Sequence, residues 1–438
     1  MNSKITIWFA TALNIRGKIL KKIIRNAAGS VEFILILAIL GSVIALGQVD
    51  MLREITLKEN MAKEYTNEGN INKVRGNIEK AEEMYLKSLK LYEEIDRRDG
   101  VADAYNNLGT IHIVRGNLGE AEKLHIRALK IDEELQYKKG IADAYGNIGN
   151  IHLTRGDLSK AEEIYLKALK LDEESGWKEG MARHYDDLGV VYRTRGDLSK
   201  AEENHLKALK LNEELVCKEG MAKNYGELAM IEEIRGNLDS AETIYLKALK
   251  LDEESGWKEG MARHYGNLGI IFEIRDDFDK AEDLYLKALR LNEELGRKKG
   301  MAIRYGNLAV IYNRRGDLIK AEEMYFRALK LDEEVGYKEC LANDYGCLGA
   351  MYYDQGNIDK AEDMYHKALK FYEEIGSREG TALIYYNMGL IYYDRGDFEK
   401  AEQMYLYSLK LYKELGSDNA MVLRLYNYLS KINSTRGK

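Results

Sequence analysis

Residues 140–179 read GIADAYGNIGNIHLTRGDLSKAEEIYLKALKLDEESGWKE, and most of the chain restates this stretch. The same frame restarts at Asn60, Gly100, Gly180, Gly220, Gly260, Gly300, Cys340 and Gly380. Tyrosine returns every forty residues from Tyr65 to Tyr385, and alanine does so from Ala81 to Ala401. A fixed period of this size marks stacked supersecondary units, so it outranks any local motif. Such an array is one elongated body in which each unit leans on the next, and its 438 residues therefore do not count out ordinary domains.

Composition agrees. Charged residues make up 32% of the chain, yet the net charge is only -7 and the two signs interleave finely. That pattern suits a solvated helical surface and argues against nucleic acid, which asks for a basic stripe. Proline is absent, where average usage would supply roughly twenty. Uninterrupted helices follow, since proline inside a helix costs about 3 kcal/mol. The three cysteines, Cys217, Cys340 and Cys347, are too few and too scattered for a disulfide framework.

One unit divides at a turn, Thr154-Arg155-Gly156-Asp157. Before it, Ile141, Tyr145, Ile148, Gly149 and Ile151 fall on one helical face; after it, Leu158, Ala161, Tyr165, Ala168, Leu169 and Leu171 do the same. Asp157 is placed to cap the second helix, and Gly156 to make the turn. Gly176, Gly256, Gly296, Gly336, Gly376 and Gly416 stand where that helix ends. Glu163 with Lys167, like Glu83 with Lys87, is a favourable pair four residues apart on the wet side. Small residues at Gly149, Ala161 and Ala168 let backbones approach, with Tyr145 and Tyr165 filling the space beside them. The fold read from this is all-α, a right-handed α-solenoid of antiparallel helix pairs. Nine forty-residue units occupy 60–420, and a solitary capping helix ends the chain in 421–438.

The first sixty residues differ. Phe33 to Gly47 is apolar and uncharged, with Val31 and Val49 extending it. About 17 such residues at about 1.5 Å each reach roughly 25 Å, slightly short of a hydrocarbon core of about 30 Å. Residues 31–49 are accordingly read as a transmembrane helix or signal-anchor, after a basic leader, 1–30, and before a linker, 50–59. Lys4, Arg16, Lys18, Lys21, Lys22 and Arg25 precede the segment with no acid before Glu32. The positive-inside rule then sets the N-terminus in the cytoplasm and the array on the other side. A cleaved signal ending at Ala45-Leu46-Gly47 is the competing reading, and a wholly cytoplasmic protein the other. Residues 5–15, ITIWFATALNI, are too short to span and would lie along a membrane surface.

The repeat resembles the tetratricopeptide repeat. The residues that carry the likeness are an aromatic (Tyr145), a branched residue and glycine (Ile148, Gly149), an aromatic slot (His152, Tyr192, Tyr312), then Ala161, Tyr165 and Ala168. It extends from Asn60 to the C-terminus. Where the family usually carries proline, this chain has Glu173, Glu213 or Glu293, so the second helix runs on and the unit lengthens from about 34 residues to forty. In this it is similar to the long repeats of Pins-type spindle-orientation scaffolds and, more loosely, of kinesin light chains. The resemblance implies a superhelix whose first helices line a concave groove that holds a partner's peptide, with neither cofactor nor catalysis.

Carried onto this frame, the groove row is Asn67, Asn107, Asn147, Asp187, Glu227, Asn267, Asn307, Cys347 and Asn387. Asparagine both donates and accepts, so a ladder of them suits an extended backbone; the alternative is that each bonds the backbone of a neighbouring unit. One turn earlier lie Arg183, Lys223 and Arg263; one turn later, Val190, Met230, Ile270 and Val310, then Tyr353 and Tyr393. The middle of the groove is thus suited to an acidic segment that also bears apolar side chains. Other motifs have plainer explanations. Arg-Gly-Asp at 155–157, 195–197, 315–317 and 395–397 always falls at the interhelix turn, so turn chemistry accounts for it. His112 and His152 occupy the slot of Tyr192 and Tyr312, which favours packing over metal. The repeated Glu-Glu pairs give no reason for a catalytic dyad, and no phosphate loop or isolated nucleophile is present. Residues 164–185 return letter for letter at 244–265. The function that emerges is a membrane-tethered scaffold for protein partners, or else a soluble signalling or assembly adaptor.

Overall fold

The computed structural model describes residues 31–415 and 420–436, with side chains from residue 47 onward. Nineteen helices form them: α1 (Val31–Arg75), α2 (Ile78–Glu94), α3 (Arg98–Val114), α4 (Leu118–Glu134), α5 (Lys138–Thr154), α6 (Leu158–Ser175), α7 (Lys178–Arg195), α8 (Leu198–Glu214), α9 (Lys218–Ile234), α10 (Leu238–Ser255), α11 (Lys258–Ile274), α12 (Phe278–Glu294), α13 (Lys298–Arg314), α14 (Leu318–Val335), α15 (Lys338–Asp354), α16 (Ile358–Ile375), α17 (Arg378–Asp394), α18 (Phe398–Glu414) and α19 (Ala420–Thr435). Among the described residues there is no strand. The basic leader 1–30 with its segment 5–15, the apolar side chains up to residue 46 and Gly416 lie outside the described residues. Residues 50–59, expected to be a linker, are helical within α1. No glycine or proline interrupts them, and Lys58 ties them to Glu54 and, on α2, to Glu94, at 3.0 and 3.1 Å.

Within a unit, the two helices meet where a glycine admits an aromatic ring. A methyl placed on Gly149 of α5 would lie 2.5 Å from Cε1 of Tyr165 on α6. Tyr165 is fully buried, and its hydroxyl donates to Asn150 Oδ1 at 2.8 Å. Gly109 and Gly189 admit His125 and His205 in the same way. Ala161 and Ala168 are fully buried beside the ring.

Between units, two ties repeat. Arg155 donates to Glu122 of the preceding unit at 2.7 Å, and Arg195 to Glu162, Arg235 to Glu202 and Arg275 to Glu242 at 2.5–2.7 Å. The arginine of Arg-Gly-Asp therefore stitches one unit to the last, while Gly156 and Gly196 take the left-handed backbone at φ 77° and 87°. The second tie is a buried polar pair twelve residues apart across the inter-repeat turn. His184 Nδ1 lies 2.6 Å from Asp172 Oδ2, and His264 Nδ1 lies 2.6 Å from Asp252 Oδ2, with all four side chains fully buried. Asn212 and Asn224 take those places in the unit between, 2.7 Å apart.

The C-terminal helix ends follow the expected chemistry, and the N-terminal ones do so only in part. Gly176, Gly256, Gly296, Gly336 and Gly376 all terminate helices at positive φ. Asp197, Asp277, Asp317, Asn357 and Asp397 cap the following helix through their side chains, but Asp157 does not. Its carboxylate faces His152 at 3.7 Å and Arg378, from a unit far along the chain, at 3.8 Å. At the C-terminus, α19 buries Val422, Leu425 and Ile432 against the last hairpin, and Tyr428 stacks on Tyr405 with ring centres 5.2 Å apart.

Candidate partner-binding groove

First helices pack on the first helix of the next unit: α3 on α5, α5 on α7, α9 on α11, α11 on α13, α13 on α15 and α15 on α17. That places them on the shorter inner circumference. Close approach is possible because Gly146 and Gly226 leave room for His184 and His264, whose Nε2 atoms would lie 2.8 and 2.6 Å from an added methyl. Residues on this layer at forty-residue spacing therefore run in rows along one inner wall.

The asparagine row lies half-buried on that wall: Asn107, Asn147, Asn267, Asn307 and Asn387. Among the described residues, none of these five amides has a hydrogen-bond partner in the protein. Asp187 sits in the same row, deep enough that burial pushes its carboxyl up to about 6. Cys347 is exposed on the wall. Glu227 is held by Arg193 at 3.7 Å.

The basic row is not uniform. Arg183 is hydrogen-bonded to Asp143 and stacks over Trp177 at 5.2 Å. Lys223 lies 3.3 Å from the buried carboxylate of Asp186. Arg263 alone of the three has no carboxylate; it lies over Trp257 at 5.0 Å, and its Nη2 is buried without a partner. The next unit holds a residue the sequence reading missed. Arg304 extends over Gly266, with Nη1 where a glycine methyl would be, and this nitrogen too is buried without a partner. Burial lowers its guanidinium to about 10. Arg304 occupies the slot that holds His184 and His264, so the forty-residue alignment contained it, but as a core position. The apolar row, Val190, Met230, Ile270 and Val310, is half-buried alongside. Tyr353 reaches the same wall and donates to Asp394.

The histidine slot is a packing site. His152 is buried, 3.9 Å from Glu122, and in its place Tyr192, Tyr312 and Tyr392 donate to Glu162, Glu282 and Glu362 at 2.6–2.7 Å. Among the described residues, no helix is long and apolar enough to cross a membrane.

The sequence model of the tetratricopeptide repeat matches residues 61–134, 140–214, 220–294, 300–374 and 338–414. Among solved structures, a Rap protein complexed with Competence and Sporulation Factor is similar at 15% identity and a TM-score of 0.56, over 83% of this chain and 99% of that one. BtubC (BKLC) from P. vanneervenii is 26% identical over 52% of this chain and 92% of its own, with a TM-score of 0.40. Yeast Tom70 is 15% identical over 87% and 97%, with a TM-score of 0.46. No curated protein sequence matches significantly.

Proposed function

This chain belongs to the tetratricopeptide repeat family, and we propose that it is a non-catalytic scaffold that holds a segment of a partner protein along its inner wall. The observation that carries this reading is the row of asparagine amides left without protein partners, together with Arg263 Nη2 and Arg304 Nη1, which have none either. An extended backbone would exchange hydrogen bonds with the amides. An acidic side chain would meet Arg263 and Arg304, and apolar side chains would lie on Val190, Met230, Ile270 and Val310. Arg183 and Lys223 contribute less, because Asp143 and Asp186 already neutralise them. The Rap structure is a complex with Competence and Sporulation Factor, and a bound partner is what we propose for this chain too.

Random peptides displayed against the immobilised protein test it. Recovered sequences should combine acidic and apolar residues, and Arg263→Glu should lose them. Recovery of the same peptides at the same enrichment by Arg263→Glu overturns the reading.

The adaptor without a membrane anchor is the version carried forward, and its cellular place belongs to the proposal. The tethered version is favoured by one observation, the uncharged run Phe33–Gly47. A phosphatase or β-lactamase reporter fused after the array separates the two, since each is active on one side only.

A further inference from the structure

The hairpin turns of the first three units touch the inter-repeat turns of the last three. A methyl added to Gly76 would lie 2.9 Å from Val335 Cγ2; on Gly116, 2.6 Å from Ile375 Cγ2; on Gly156, 3.2 Å from Leu415 Cδ2. Each pair is separated by the same 259 residues, about six and a half units. A second set keeps step with it: Lys298 abuts Gly76, Lys338 abuts Gly116, and Arg378 faces Asp157 at 3.8 Å. The array has therefore made one full superhelical turn and come back into register against itself.

Two further observations show that the side chains answer to this contact. Val335 and Ile375 are only 3% and 4% exposed, and Val335 joins the core of the first unit with Ile78, Ala81 and Tyr85. The same slot in the six earlier units holds Ile95, Leu135, Ser175, Leu215, Ser255 and Leu295, none of which is buried. The helix caps change along the chain as well. Asn77, Asn117 and Asp157, the three turns in contact, make no side-chain cap, whereas five of the six later turns do; the uncapped Asn77 and Asn237 each donate to the residue five back, Asn72 and Glu232. Where the second and eighth units meet, a cleft of about 700 Å³ remains, bordered by Asn117, Leu118, Ile375 and Ser377.

We propose that these turns form an intramolecular clasp that closes the array around its inner wall, and that the clasp must part for a bulky partner to reach that wall from the side. The clasp itself does not depend on the scaffold reading; its role as a gate for a partner does.

Neither test needs a ligand. In a background of Cys217→Ser, Cys340→Gly and Cys347→Asn, the last two restoring residues found at these positions in other units, Asn117→Cys and Ser377→Cys are bridged with a short bismaleimide. Ser377 shares its repeat position with the native Cys217, so cysteine is tolerated there. The expected result is an intramolecular bridge forming at least ten-fold faster than in the control pair Asn237→Cys and Ser377→Cys. Equal rates, or covalent dimers in place of the internal bridge, overturn the clasp. For the gate, Cys347 is kept as the sole cysteine and labelled with a maleimide on a long polyethylene glycol. The double variant Val335→Ser and Ile375→Ser, which installs the residue native to that slot in two other units, should label at least five-fold faster. Its rate with the small reagent iodoacetamide should be unchanged. An unchanged rate with the bulky reagent overturns the gate, and so does equal acceleration with both reagents, which reports general loosening.

Discussion

Val216 is a β-branched residue held at φ 54°, a conformation its branch opposes, and it is 78% exposed, so it gains little by packing. Gly176 and Gly256 stand at the same repeat position with φ 68° and 71°. Val216→Gly is therefore expected to raise unfolding stability by about 1 kcal/mol, read as a higher denaturant midpoint with unchanged slope. A second residue-scale expectation concerns Asp332 and Asp344. Burial raises both carboxyls; the charge and hydrogen bond of Asp332 raise Asp344 further, while the hydrogen bond with Asp344 offsets part of the rise at Asp332, so the pair holds protons that ordinary carboxylates have lost. Burial likewise pushes Asp132 up to about 7, with the nearby Asp103 and Asp143 adding to it. A carboxyl raised on folding stabilises the protein fully at low pH and loses that contribution as pH rises through its folded value. Unfolding free energy should thus fall between about pH 4, the ordinary carboxylate range, and about pH 8, by about 1.4 kcal/mol per pH unit for each proton the folded state still holds, and level off above that. Asp332→Asn, the residue already present at Asn212 and Asn292, should flatten part of that slope; an unchanged slope contradicts the assignment. The sequence displayed every one of these residues yet hid the pairing. Asp172 with His184 and Asn212 with Asn224 change together twelve residues apart, and reading each column of the repeat alone leaves them as isolated polar substitutions.

At the scale of the helix, periodicity carried most of the information. The 3.6-residue face, the turn glycines and the glycine ends of the second helices were all legible because each is a local backbone requirement. The capping role of Asp157 was not, since its carboxylate is drawn to Arg378, more than two hundred residues away. Nor was the tie made by the turn arginines, which only the stacking of one unit on the last brings to glutamate. That tie is half-exposed, so each copy contributes modestly. Arg275→Ala is expected to lower stability by about 0.5 kcal/mol, and the triple change with Arg155→Ala and Arg395→Ala by about three times as much, because the sites are far apart. Urea titration measures both; a triple variant no weaker than the single one contradicts independent ties. In the groove, the sequence put the asparagine row on the first helices but treated Arg183, Lys223 and Arg263 as equals. Which of them is free depends on where Asp143 and Asp186 point, and that is settled by packing. Arg183→Ala should accordingly cost less than three-fold in affinity for a peptide selected on the wild type, and Arg263→Ala at least ten-fold, by fluorescence anisotropy.

Over the whole molecule, the fold was legible and its closure was not. A forty-residue period fixes what each unit does with its neighbours, whereas the superhelical pitch accumulates from small rotations that no single unit records. The contact between the first and last units is the visible sum of those rotations. What remains most exposed to refutation is the claim beneath all of this, that every unit is held by its nearest neighbours and none is indispensable. The direct measurement is the excision of residues 220–259, which joins Glu219 to Gly260 in unbroken register. The shortened chain should keep its helical circular-dichroism signal per residue and still unfold cooperatively, at a somewhat lower temperature. Loss of helix throughout the remaining units would mean that the stability resides in one indispensable unit, contradicting the nearest-neighbour account.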